Sequence, residues 1–251
     1  MFAPVTKYSA AIESPDRFLH HLRRALRRAL TGRPGPVHLN VPVDFWNQSV
    51  PRTDFDPEKY RPETTVFDRD AVQSASEALV GASHPTLLVG SGVRVGQAED
   101  ELLQIAEQLS ARVATTPRGK GVFPEDHPQS LGVFGFAGHQ HALESLLGDE
   151  VDVLLAIGTS LGETATFNWH PDLMPTETFI HSDIDVDRIG SNYPVDVPLV
   201  GDARTVLTEL FFHNRRTLDD TPLRSRWRED RKDLKAAKHR EPELRSSKRV
   251  P

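Results

Sequence analysis

The chain has no cysteine in its 251 residues. That excludes disulfides, thiolate metal sites and thiol nucleophiles together, and it agrees with an expected cytoplasmic location. Aromatic residues are scarce at 7 %, and methionine occurs twice. No apolar run approaches the roughly 20 residues that span a bilayer, so no membrane partner is expected. The opening MFAPVTKYSA has no basic stretch followed by an apolar one and does not read as a secretory signal. The string HExxH does not occur, which removes the common zinc-hydrolase helix. The formal charge is −6, so nothing global draws the chain to nucleic acid, and no nucleic-acid partner is expected.

What is present is an alternation of helical and strand patterns. Ser14-Pro15-Asp16 has the residue types of a helix start: hydroxyl cap, proline, acid. Phe18, Leu22, Ala25, Leu26, Ala29 and Leu30 follow at helical spacing, with Arg23, Arg24, Arg27 and Arg28 mostly on other faces. Thr31-Gly32 ends that helix, and Val37 to Val41 reads as a short strand. One helix and one strand cannot bury a core alone. Residues 47–69 are polar and aperiodic, which predicts a linker.

From Asp70 the pattern predicts helix 70–80, strand 85–89, helix 97–110 and strand 112–115. A long glycine-rich loop then leads to a helix near 139–147. Strands 151–157, 178–181 and 197–200 and helix 203–212 complete the series. Such alternation predicts an α/β fold, a Rossmann-like parallel sheet with helices on both faces. Residues 214–251 are highly charged, mostly basic but interrupted by acids, with Trp227 and Leu234 as isolated apolar points. They read as a solvated linker rather than a nucleic-acid arm.

The chemistry-bearing candidates cluster after predicted strands. Gly90-Ser91-Gly92-Val93-Arg94-Val95-Gly96 follows one strand and has the spacing GxGxxxG. Glycines there either let a phosphate reach the amides of a helix start or simply permit a tight turn, and one such turn leaves both readings open. Gly158-Thr159-Ser160 and Ser182-Asp183-Ile184-Asp185 end two further strands, where open α/β sheets place ligands. A carboxylate at Asp183 would suit ribose hydroxyls, whereas Asp185 reads as the cap of the following turn. Arg118 and Lys120 are the nearest cations, suited to a phosphate or to plain solvent. His139 and His141, two apart, would face different sides of a helix and do not make a metal pair. His20, His21, His38 and His181 fall inside elements and read as packed or surface residues, so no catalytic residue and no metal ligand is expected.

Nine strings occur in a family order: PVTKYS, DRFLHHLRRALRRAL, TGRPGPVHLNVPVD, PTLLVGSG, TTPRGKGVFPEDHP, LGVFGFAGH, VDVLLAIGTSLGE, FIHSDIDVDRIG and PLVGDA. On these the chain resembles the thiamine-diphosphate-dependent enzymes of the acetolactate synthase type. TGRPGPVHL and the HSDID…VGD pair are the most specific. The resemblance implies three successive domains: pyrimidine-binding, central Rossmann-like and diphosphate-binding.

This chain matches the tail of the first domain as a helix–strand remnant (1–46). A linker (47–69), the whole central domain (70–213) and a charged linker toward the third domain (214–251) follow. A truncated or split product is therefore expected. The family's ionising glutamate lies upstream of the matching segment, and the GDG…N motif that holds the diphosphate through magnesium has no counterpart, since GDG is absent. Thiamine diphosphate and magnesium thus belong to the parent enzyme, which would act on 2-oxo acids or an acyl-CoA. The chain alone is not expected to catalyse.

The resemblance also implies a ligand for the central domain: FAD in acetolactate synthases, ADP in some acyl-CoA lyases, none in others. Gly90 belongs to the same glycine turn as Gly92, while Gly92, Gly158, Asp183, Ile184 and Asp202 stand where FAD-binding members contact the dinucleotide. Two departures bear on this. Ser160 replaces the family's arginine, and Gly135-Phe136-Ala137-Gly138 replaces its GMHG loop beside the flavin. These point to an adenine nucleotide or an empty site rather than tightly held FAD. The expected partners are a second copy of the chain or a chain supplying the missing domains. The alternative reading is a free-standing adenine-nucleotide module or an interaction scaffold.

Overall fold

Chain patterning and structure agree on an α/β protein, seen here as a computed structural model that describes residues 2–50, 56, 67–148 and 150–220. Most of the expected 47–69 linker, and the segment bearing Trp227 and Leu234, lie outside the described residues. The chain divides into two units, Met1–Thr64 and Thr65–Pro251.

The first unit is a β–α–β arrangement: β1 (Tyr8–Ala11), α1 (Phe18–Leu30) and β2 (Val37–Asn40). The strands pair in parallel, Tyr8 opposite Val37 through Ala11 opposite Asn40. Strand β1 escaped the sequence reading because YSAA is short and ends in two alanines, weak strand residues, without the β-branched alternation that marks strands. Ser14 does not cap α1. It opens a short 3-10 turn, Pro15–Arg17, and α1 starts at Phe18 with no side-chain cap. The TGRPG turn is pinned by the residue before β1: Lys7 Nζ donates to Thr31 O at 2.6 Å and to Arg33 O at 2.7 Å. Ile12 and Ala25 are buried here, while Leu26, Leu30, Val43 and Trp46 remain exposed.

The second unit holds α2 (Arg69–Gly81), β3 (Thr86–Val89), α3 (Gly92–Val95), α4 (Glu99–Leu109), β4 (Arg112–Thr115), β5 (Ser130–Val133), α5 (Gln140–Leu146), β6 (Val153–Ile157), β7 (Thr178–Asp183), β8 (Val197–Val200) and α6 (Ala203–Asp220). Six strands form a parallel sheet in the order β5-β4-β3-β6-β7-β8. Relative to the first strand of this unit that is the doubly wound 3-2-1-4-5-6 order. Along β3, Leu87 and Val89 pack into one core cluster and Leu88 into the other. Both faces are therefore covered, which explains the unbroken apolar runs TLLV and VLLAI.

The two faces are covered differently. One cluster is built with α2, α4 and α6, as Leu79, Leu102, Ile105, Val206 and Leu210 show. The other uses α5 together with loop residues Leu161, Leu173 and Tyr193. The crossovers from β6 to β7 and from β7 to β8 are 3-10 turns, not helices. The helix expected at 97–110 is preceded by the separate one-turn α3, and the glycine-rich loop contains β5. Its sequence SLGV hides the strand, because serine and glycine are weak strand residues. Helix α6 runs past Phe212 to Asp220, where Leu218 packs against the core and Asn214 donates to Gln108 Oε1 at 3.3 Å.

Candidate functional site

The sheet order puts β3 beside β6, and the chain changes direction of travel across the sheet between them. Ligands of open α/β sheets lie beyond the strand carboxyl ends at such a switch point. All six residues singled out from the sequence stand on this edge. Gly90 follows β3, Gly92 opens α3, Gly158 follows β6, Asp183 ends β7, Ile184 comes next, and Asp202 follows β8.

The glycines touch one another. Gly90 N–H donates to Ile157 O, Gly92 N–H to Gly158 O and Gly158 N–H to Ser182 O, each at 2.9 Å. A methyl on Gly92 would stand 2.6 Å from Gly158 Cα, and one on Gly90 2.6 Å from Thr159 Cβ. Such approach requires glycine whatever the ligand. The Gly90 and Gly92 amides, which a phosphate would meet in a dinucleotide turn, are already bonded to the strand and loop beside them, and α3 spans only four residues.

The carboxylates also work locally. Asp183 Oδ1 accepts from Asp185 N at 2.9 Å, and Asp185 Oδ1 accepts from Asp187 N at 3.3 Å, capping the Val186–Arg188 turn. Asp202 Oδ1 accepts from Arg204 N at 3.0 Å at the start of α6. Ile184 is exposed. Positive charge comes from Arg94 on α3, whose Nη2 donates to Lys120 O at 2.8 Å, and from exposed Arg118 on the adjoining Pro117–Gly119 turn. Lys120 lies 3.7 Å from Glu125. Arg94 carried no sequence signal beyond its place inside a glycine turn.

His181, on β7, is 1 % exposed, and its Nε2 is 2.8 Å from Thr159 O. The carbonyl can only accept, so the proton sits on Nε2, and Nδ1 is buried without a partner. Burial holds the imidazole pKa below its usual value, against the opposing pull of the Thr159 carbonyl and the Asp183 charge. The unfolded chain therefore takes up a proton below about pH 6.5 that the fold refuses. Stability is full above that pH and falls as the pH drops toward the folded value. His181→Asn is expected to flatten the acid limb of the unfolding midpoint between pH 7 and pH 5. An unchanged slope would assign the acid sensitivity to other groups.

Comparison with known proteins bears on this geometry. The family profile described as thiamine pyrophosphate enzyme, central domain, matches residues 72–210. The chain belongs to the thiamine-pyrophosphate enzyme family.

Within that family the likeness is to acetolactate synthases. A probable acetolactate synthase large subunit of Methanocaldococcus jannaschii is 36 % identical over 216 residues, covering 84 % of this chain and 36 % of the relative. The acetolactate synthase large subunit of Corynebacterium glutamicum is 35 % identical over 238 residues, covering 93 % and 37 %. Benzoylformate decarboxylase from Polynucleobacter necessarius has a similar structure: TM-score 0.69, 26 % identity, covering 84 % of this chain and 39 % of that one. The chain spans about a third of the length of these relatives.

Seen as a thiamine-pyrophosphate enzyme central domain, the departures from the family pattern have concrete surroundings. Ser160 offers its carbonyl to Asn192 Nδ2 at 3.0 Å. The Gly135–Gly138 loop is tied to the turn after β6, with Phe136 N–H donating to Thr164 O at 2.8 Å. His139 Nδ1 accepts from Val133 N at 2.9 Å, a structural role. Among the described residues no group of three or more His, Asp or Glu side chains is placed to hold a metal. No described helix is long and apolar enough to cross a membrane.

Proposed function

We propose that this chain is the central portion of an acetolactate synthase-like enzyme whose carboxyl-edge crevice holds an adenine nucleotide, and that it does not catalyse alone. The parent reaction is decarboxylation of a 2-oxo acid, or handling of an acyl-CoA, on thiamine diphosphate and magnesium held by other domains or by a partner chain. The observation carrying the first half is the match of residues 72–210 to the central domain of this family. Support for the second half is that the matched span, residues 72–210, is the central domain, and that no GDG string occurs in the 251 residues.

The nucleotide reading is supported by the switch-point position of the crevice and by Arg94 and Arg118 beside it. Because the glycine amides are spent, these side chains rather than a helix start would meet the phosphates. With Ser160 where an arginine would grip a dinucleotide, ADP suits the edge better than FAD.

Pure protein supplied with pyruvate, thiamine diphosphate and magnesium is expected to release no carbon dioxide above the protein-free blank. Steady turnover would overturn the claim that the chain is inactive alone. Thermal unfolding with ADP, FAD or NAD tests the crevice. At 100 times its dissociation constant a ligand stabilises by about 2.7 kcal/mol, which for a unit of this size raises the midpoint by roughly 5–10 °C. No shift with any of the three would remove the nucleotide reading.

A further inference from the structure

Two segments of the carboxyl edge face each other across a short span. On one side the turn after β3 ends at Gly96, which closes α3 with its N–H on Gly92 O at 2.9 Å. On the other, Asp202 opens α6. Its Oδ1 caps that helix by accepting from Arg204 N at 3.0 Å. Its Oδ2 lies 3.1 Å from where a methyl on Gly96 would stand. Among the described residues no donor is bonded to this second oxygen, so it is free to accept.

The side chain of Arg204 bridges the same span. Its Nη2 donates to Gln97 O, and its Nε lies 3.2 Å from Glu101 Oε1. Gln97 directly follows Gly96 and is left-handed, with φ of +52°. Glu101 stands in the first turn of α4. One residue thus holds Asp202 with its main chain and the α3–α4 connection with its guanidinium.

As a stabilising contact this clasp is poor. Arg204 is half exposed, and an ion pair so close to water adds little. Glu101 keeps its other oxygen, Oε2, buried without a partner, which detracts from stability. What the clasp supplies is geometry. A planar guanidinium held by two acceptors on one side cannot swing freely, so the first turn of α6 keeps a set distance from α3. Helix α3 carries Arg94, and the start of α6 carries Asp202. A cation and a free carboxylate oxygen at a fixed separation match a ligand with phosphates at one end and hydroxyl or amine donors at the other.

We infer that Arg204 is a positioning residue for the adenine nucleotide. It holds the Asp202 carboxylate where Oδ2 accepts from the adenosine part while Arg94 meets the phosphates. This rests on the nucleotide reading given above and adds the side chain that sets the span between the two ends of the ligand.

The experiment titrates ADP into the full chain by calorimetry, below the unfolding transition. Arg204→Ala is expected to weaken ADP binding about tenfold, equivalent to ~1.4 kcal/mol. Asp202→Asn keeps an oxygen for the cap but puts a donor in place of the free acceptor, and should cost a similar factor. Because Arg204 acts through Asp202, the double variant should bind ADP about as well as Asp202→Asn alone. Arg204→Lys keeps the charge without the fork and should restore only part of the affinity. Additive losses in the double variant would make Arg204 an independent contact and overturn the inference. Full affinity with lysine would leave only its charge and overturn it too. So would native affinity in Arg204→Ala with a lowered unfolding midpoint, the mark of a purely structural strap. No ADP binding by the native chain would remove the nucleotide reading itself. Should Arg204→Ala fail to fold, Glu101→Gln, which loosens the same clasp, takes its place in the cycle.

Discussion

Gly90→Ala is expected to lower the unfolding midpoint by about 10 °C, in the absence of any nucleotide. The new methyl would meet Gly158 O and stand 2.6 Å from Thr159 Cβ and 2.8 Å from the Gly158 carbonyl carbon. Two of these neighbours are main chain and cannot rotate aside. Relief requires parting the loops after β3 and β6, which breaks the Gly90 N–H bond to Ile157 O and the Gly92 N–H bond to Gly158 O. Overpacking together with two lost hydrogen bonds amounts to about 3–5 kcal/mol, and a unit of this size loses roughly 2–4 °C per kcal/mol. Gly162→Ala is the matched control. Its φ is −75°, and an added methyl would have nothing within 4 Å, so its midpoint should stay within a degree or so of the native value. If Gly90→Ala melts like the native chain and loses only ADP binding, the glycine serves a ligand and the interlock account is wrong.

That contrast bears on what sequence can disclose. Strands β3 and β6 are legible because burial on both faces demands apolar residues without alternation. The carboxyl-edge position of Gly90, Gly158 and Asp183 is legible for the same reason: each follows a run that can only be a strand. What the glycines do there is not legible, because a turn that opens its amides to a phosphate and one that spends them on a neighbouring loop need the same residue. The residues YSAA and SLGV conceal β1 and β5, since pairing to an existing strand overrides weak local preference. The Phe167–Trp169 turn, left-handed at all three residues, has no local signature at all. Its conformation is imposed by Thr166, Asn192 and Tyr193, and only the fold brings the last two near it.

Asp152 is a second residue whose importance is invisible in the string VDVLLAI, where it reads as a polar residue opening a strand. It lies at the amino end of the sheet, away from the candidate site, and is 8 % exposed. Its Oδ1 accepts from His84 N and from Val153 N at 2.9 Å each, while Oδ2 accepts from Ser83 N. Its main-chain carbonyl accepts from Glu177 N and Thr178 N at 3.0 Å. One residue thus joins the segments entering β3, β6 and β7.

Truncation to alanine strips three N–H groups of their acceptor, the buried one of Val153 and the part-buried ones of Ser83 and His84, and bonds to a charged acceptor are roughly twice as strong as neutral ones. A buried orphaned donor costs about 1–3 kcal/mol and the two part-buried ones less, so Asp152→Ala should lose about 2–3 kcal/mol. Asp152→Asn should lose less. Its amide oxygen can keep His84 and Val153, but its NH2 must then face the Ser83 N–H, donor against donor. The ranking native, Asn, Ala in urea midpoint, with ADP affinity equal in all three below the transition, is the expected pattern. An asparagine variant as unstable as the alanine would mean that the charge, not the acceptor geometry, holds the three strands together.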